Sequence, residues 1–151
     1  LIHGEVGKYQ YGARGALKAS AVIKTIKEDK FIEVKLQLAN NWHINAHQPD
    51  VSQANVDQPE AKDIIPTSIR IDTDYSAALL NKIIYPELIS KKFSFLETPL
   101  QVYEGDIVLR GSLNVDDGAR LNNIVPLVIQ FQACNDQVCL APEKLTLRAS
   151  R

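Results

Sequence analysis

A chain of 151 residues, 45% hydrophobic and 23% charged with a formal net charge of -1, has the size and composition of one globular domain. Near-neutral charge and the lack of any basic run exclude a general attraction to nucleic acid or to an anionic membrane. The longest apolar stretch, IVPLVIQFQA, is broken by Pro126, Gln130 and Gln132 and is too short to cross a bilayer.

The chain contains no Met and starts at Leu1, as expected of a processed or excised piece of a longer product. Residues 1–16 are glycine-rich without a clean period and read as an N-terminal arm or edge segment; residues 17–151 read as the folded domain. Strands are expected at 18–26 and 31–38. In FIEVKLQL (31–38), Ile32, Val34, Leu36 and Leu38 take one face, and Glu33, Lys35 and Gln37 the other. Period two with one apolar face marks a half-buried antiparallel strand.

A short strand is expected at 42–46, then a polar loop over 47–63 and another strand at 67–72. DYSAALLNK (74–82) is the one stretch that reads as a helical turn or two. Further strands follow at 99–104, at 106–115 with Ile107, Leu109, Leu113 and Val115 inward, and at 125–134. In the last of these Val125, Leu127, Ile129, Phe131 and Ala133 share a face; a final strand covers 144–149. This succession of short strands predicts an all-β fold, a sandwich of two antiparallel sheets, with a barrel as the structural rival.

Both cysteines lie in CNDQVCLAPE (134–143). Cys134 has the parity of Gln130 and Gln132, so it is expected to point away from the core and to be open to chemistry. Asn135 and Asp136 favour a turn and Pro142 interrupts the returning strand, which puts the pair across the mouth of an edge hairpin. Three uses remain open. As a staple, a loop of about six residues gives about 2 kcal/mol on the chain-entropy estimate. As a zinc site, the two thiolates would join His43 and His47, but on a strand those imidazoles lie about 13 Å apart, so one ion would take only one of them. The third use is a dithiol/disulfide redox centre.

FQACNDQVCLAPE resembles the cysteine motif of the N-terminal periplasmic domain of the thiol:disulfide interchange protein DsbD family. VKLQLANNWHINAHQP (34–49), IIPTSIRI (64–71) and YPELISKKFSFLETPLQVYEGDIVLRGSLNV (85–115) resemble other segments of that family, in the same order. The resemblance covers roughly residues 17–148. It implies an immunoglobulin-like β-sandwich in the bacterial periplasm that catalyses protein-disulfide reduction by thiol–disulfide interchange, with no cofactor and no metal. Electrons would arrive from a thioredoxin-like domain of the same or a partner protein. They would pass to periplasmic thioredoxin-fold oxidoreductases that correct disulfides or serve cytochrome c maturation. The parent protein would be anchored in the inner membrane.

By position, the resemblance makes Cys134 and Cys139 the redox pair, Cys139 attacking partners and Cys134 resolving. It places a cap loop over the disulfide at Phe93, Phe95 and Leu96. His43 and Asn45 stand beside the cysteines, where a well-known member carries tyrosines. There His43 would help stabilise a thiolate, while Asp136 and Glu143 would oppose one by like charge. The second class of function is a non-catalytic immunoglobulin-like binding module whose disulfide is structural.

Overall fold

The computed structural model describes residues 9–47, 64–72, 78–93, 99–115 and 124–151. Its strands in chain order are β1 (Gln10–Gly12), β2 (Leu17–Ile26), β3 (Asp29–Leu38), β4 (His43–Asn45), β5 (Ser68–Ile71) and β6 (Ala78–Ile84). They continue with β7 (Ile89–Lys91), β8 (Leu100–Glu104), β9 (Asp106–Val115), β10 (Ile124–Phe131), β11 (Ala133–Cys134) and β12 (Glu143–Ser150). A 3-10 turn, Ala13–Gly15, joins β1 to β2. Among the described residues no helix is long and apolar enough to cross a membrane.

The alternation read from the sequence becomes one buried face. Ile32, Val34, Leu36 and Leu38 of β3 are buried, as are Ile107, Leu109 and Leu113 of β9 and Val125, Leu127, Ile129 and Phe131 of β10. Val115, at the end of its strand, is only partly buried against them. The larger sheet runs β5-β10-β12-β2-β3-β9-β6, with β1 beside β2. Its pairs are antiparallel except β12 with β2, which meet in parallel where Ser150 lies opposite Val22. The smaller sheet, β11-β4-β8-β7, is antiparallel throughout. Ala133, Ile44 and Tyr103 of the smaller sheet complete the main core. The result is an immunoglobulin-like β-sandwich with the cysteine hairpin on an edge strand.

Three of the bends that carry the chain between the sheets place the small one. β3 passes to β4 through a turn closed by the Trp42 N–H donating to Ala39 O at 3.1 Å. β8 passes to β9 at Gly105, whose φ of 72° lies in the left-handed region that favours glycine. β10 passes to β11 at Gln132. The Leu38 N–H donates to Gly105 O at 2.9 Å and ties the first two bends together.

The smaller sheet has a second covered face. Phe93, Leu100 and Val102 are buried there, with Ile64 packed against them, apart from the main core. By register Cys134 shares this face of the small sheet.

The expected helical turn at 74–82 is corrected. Its described part belongs to β6, which pairs with β9 from Ala78 opposite Val115 onward, with a register shift between Asn81 and Ile84. Without β6 the backbone groups on that side of β9 would lack ladder partners, and this pairing overrides local preference. Leu80 lies over Gly111, where an added Cβ would come within 2.5 Å of its Cδ1. The polar loop read at 47–63 lies, beyond His47, outside the described residues.

Candidate functional site

The cysteines sit in a tight hairpin whose turn is built by one side chain. Asn135 Oδ1 accepts the backbone N–H groups of Gln137 and Val138, each at 2.8 Å. The Asn135 N–H donates to Val138 O at 2.8 Å, and the Leu140 N–H donates to Ala133 O at 2.9 Å. Between these bonds Cys134 and Cys139 face each other as a bridged pair. Their Cα atoms are 4.0 Å apart and their sulfurs are joined in a disulfide. Facing residues between ladder bonds bring their side chains closest, which suits a cross-strand disulfide.

The two sulfurs have different surroundings. Cys139 is exposed, whereas Cys134 is only 4% exposed. The expectation of a solvent-open Cys134 is therefore corrected. Parity does turn it away from the main core, since Ala133 beside it belongs to that core. The face it turns toward, however, is the covered outer face of the small sheet rather than water.

Strand register assembles that face. Cys134 lies opposite His43, and His43 lies opposite Glu104. Asn45 lies opposite Val102, and Val102 opposite Ile89. Laterally paired residues share a face, so Cys134, His43 and Glu104 form one row across three strands. His43 is 1% exposed and stacks on Phe93, with ring centroids 4.5 Å apart. Neither of its ring nitrogens has a hydrogen-bond partner among the described residues, and neither does Asn45 Oδ1. Burial, with Lys91 nearby, pushes His43 down to about 4 against the pull of Glu104 and Asp136, so the ring is neutral at pH 7. Lys91 forms an ion pair with Glu104.

Asn45 and Gln132 tie the hairpin base to the neighbouring segment. Asn45 Nδ2 donates to Ile65 O at 2.9 Å and to Gln132 Oε1 at 3.5 Å. Gln132 Oε1 also accepts the Ile65 N–H, and its Nε2 donates to Leu140 O, both at 3.4 Å. Thr67 Oγ1 donates to Asn45 O at 2.6 Å.

Of the residues singled out in the sequence, Cys134, Cys139, His43, Asn45 and Phe93 thus gather around one end of the small sheet. Phe95 and Leu96 lie outside the described residues. His43 and His47 do not share a face as a continuous strand would require, because β4 ends at Asn45. His47 stacks on Tyr85 with centroids 4.0 Å apart, and its Nδ1 lies 2.6 Å from Tyr103 Oη. Glu143, expected to oppose a thiolate, instead accepts the Ala13 N–H through Oε2 at 2.9 Å. Glu104, Lys91 and Gln132 were not legible as site residues. For Glu104 and Gln132 the only sequence signal is alternation beside Tyr103 and Phe131, which gives a face but not its neighbours, and Lys91 carries none.

Chemically, an incoming thiolate can reach Cys139, while Cys134 is shielded and stands as the leaving sulfur. The family model described as "Thiol:disulfide interchange protein DsbD, N-terminal" matches residues 15–150. No curated protein sequence matches the chain. The N-terminal periplasmic domain of ScsB from Proteus mirabilis superposes with a TM-score of 0.62 at 16% identity, covering 94% of this chain and 49% of that one. The chain thus spans about half the length of that ScsB structure. The Neisseria meningitidis DsbD n-terminal domain in the reduced form superposes with a TM-score of 0.52 at 12% identity, covering 93% and 89%. At these identities the structural likeness is one of fold, and it agrees with the sequence match in its family. With nearly its whole length matched, the chain belongs to the DsbD N-terminal family, whose chemistry is thiol–disulfide interchange.

Proposed function

We propose that this domain relays electron pairs between thioredoxin-like proteins in the periplasm, through the Cys134–Cys139 couple. The observation that carries the reading is the unequal exposure of the two sulfurs in one disulfide. In reduction, a thiolate of a partner dithiol attacks Cys139 Sγ. The disulfide breaks, Cys134 departs as a thiolate and takes up a proton, and Cys139 is held in a mixed disulfide. The partner's second thiolate then attacks its own sulfur of that bond and releases Cys139. The partner ends as a disulfide and this domain as a dithiol. The reverse sequence, starting from Cys139 as the nucleophile, passes the pair to an oxidised thioredoxin-fold acceptor.

The same reading assigns the cap to the segment that begins at Phe93 and continues through Phe95 and Leu96. Its support is the Phe93 ring stacked on His43, the residue opposite Cys134. Such a lid protects an oxidised pair from adventitious thiols and opens on docking. The thioredoxin-like donor and the membrane anchor belong to the parent protein in this reading.

Equilibration with a thiol redox buffer tests the proposal. A relay couple shows a midpoint potential above about -300 mV, whereas a structural disulfide lies below that value and does not equilibrate with a thioredoxin-like dithiol.

A further inference from the structure

We propose that the buried imidazole of His43 donates a hydrogen bond to Cys134 Sγ as that sulfur leaves the disulfide, which makes Cys134 the leaving group and Cys139 the attacked sulfur. The inference rests on the exchange reading above and names the group that assists it. His43 and Cys134 are direct cross-strand partners, so their Cβ atoms stand about 4.5–5.5 Å apart, within reach of an imidazole and a thiol. Both ring nitrogens are buried and without a partner among the described residues. Native structures rarely leave such groups unsatisfied, and each one normally has an explanation.

In the oxidised chain Cys134 Sγ is a neutral disulfide sulfur and a poor acceptor. When a partner thiolate attacks Cys139 Sγ, its electron pair forms the new S–S bond and the old bonding pair moves onto Cys134 Sγ. That sulfur then carries a full negative charge at a site only 4% exposed, where an unpaired anion is costly. A neutral imidazole keeps one N–H and one bare nitrogen. The N–H meets the thiolate as the charge forms, without itself losing a proton. The proton set free when the partner's second thiol ionises then converts Cys134 to a thiol.

The neighbouring charges do not replace this donor. On β7 and β8, Lys91 and Glu104 are bound to each other, and Asp136 in the hairpin turn has the wrong sign to stabilise a thiolate. Phe93 stacks on the ring and fixes its plane.

The hydrogen bond itself is tested without a protein partner, and a thioredoxin-like dithiol serves as the control for exchange. In a Cys139→Ser background Cys134 is the sole thiol, and its ionisation is followed by thiolate ultraviolet absorbance. Adding His43→Phe, which keeps an aromatic ring but removes the N–H, is expected to raise the Cys134 pKa by about one unit. His43→Gln, whose amide can donate, is expected to recover most of that shift. With both cysteines present, His43→Phe is expected to slow reduction by dithiothreitol several-fold, and His43→Gln less. Should His43→Phe fail to fold, His43→Leu takes its place in the same comparison. An equal Cys134 pKa in the His43, Gln and Phe or Leu backgrounds overturns the proposal and leaves the exchange reading standing. Loss of exchange with a thioredoxin-like dithiol, beside a His43-dependent pKa, overturns the exchange reading instead.

Discussion

Cys134 and Cys139 face each other across a hairpin with Cα atoms 4.0 Å apart, yet one is 4% exposed and the other open to solvent. The difference comes from sheet geometry. Cys134 ends a strand in one row with His43 and Glu104, and the Phe93 ring stacks as a roof on His43 beside it. Cys139 lies on the returning chain beyond the sheet's edge strand, facing Cys134 across the bridge between the Leu140–Ala133 and Asn135–Val138 hydrogen bonds. A single covalent bond therefore joins a protected sulfur to an accessible one.

Removing the roof should expose the protected side. Phe93→Ala deletes the ring stacked on His43 and is expected to cost about 3 kcal/mol of stability. The same variant should be reduced faster than the parent by glutathione, a small thiol with no docking surface. An unchanged rate in folded Phe93→Ala protein would remove Phe93 from any shielding role.

His43 should imprint its burial on acid stability. Its value is near 4 in the folded chain and 6.5 as the ordinary value, so the unfolded chain binds more protons between those limits. Stability must then fall as pH drops from about 6.5 to about 4, by at most about 3 kcal/mol, and change no further on this account below that. His43→Phe should flatten this limb of the stability–pH curve measured by urea unfolding.

Much of this organisation was legible in advance, and the misses share one cause. Alternation placed Val125, Leu127, Ile129, Phe131 and Ala133 on one face, and all are buried. The all-β strand succession and the edge hairpin follow from local pattern, whereas the immunoglobulin-like sandwich and the place of His43 and Asn45 beside Cys134 come from the family resemblance and not from any spacing. Parity gives the direction of a side chain but not what lies over it, so Cys134 was read as exposed. Phe93, which only the family resemblance points to, approaches from the segment after β7, and no local pattern of the cysteine segment contains it. The same limit hid Glu104, which meets His43 only through the register of β4 with β8. Ala78–Ile84 was misread because its strand character comes from the edge of β9 and not from its own residues.

A second acid window belongs to Glu33, on the outer side of the large sheet. Its 3% exposed carboxylate bonds Lys24 Nζ at 3.0 Å and Arg110 Nε at 2.9 Å. Lys24 foremost, with Arg110, holds it below the ordinary carboxylate value of 4.5 despite burial. A depressed folded value means stabilisation that is present above about pH 4.5 and lost as pH falls through the folded value. Glu33→Gln should cost about 1–3 kcal/mol at pH 7 and give a shallower loss below pH 4.5 than the parent.

The turn should matter more in one redox state than in the other. Asn135→Ala removes the acceptor of two backbone N–H groups and should cost about 1 kcal/mol in the oxidised chain. In the dithiol form no covalent bond closes the loop, so the loss should be larger there. Paired urea titrations with and without reductant measure the difference.

The central claim is that partners bond to Cys139 and not to Cys134. Cys134→Ser and Cys139→Ser chains, each incubated with an oxidised thioredoxin-fold protein, report it directly as mixed disulfides on non-reducing gels. The account predicts a persistent adduct with Cys134→Ser and little or none with Cys139→Ser. Equal adducts from both variants, or an adduct only from Cys139→Ser, would contradict it.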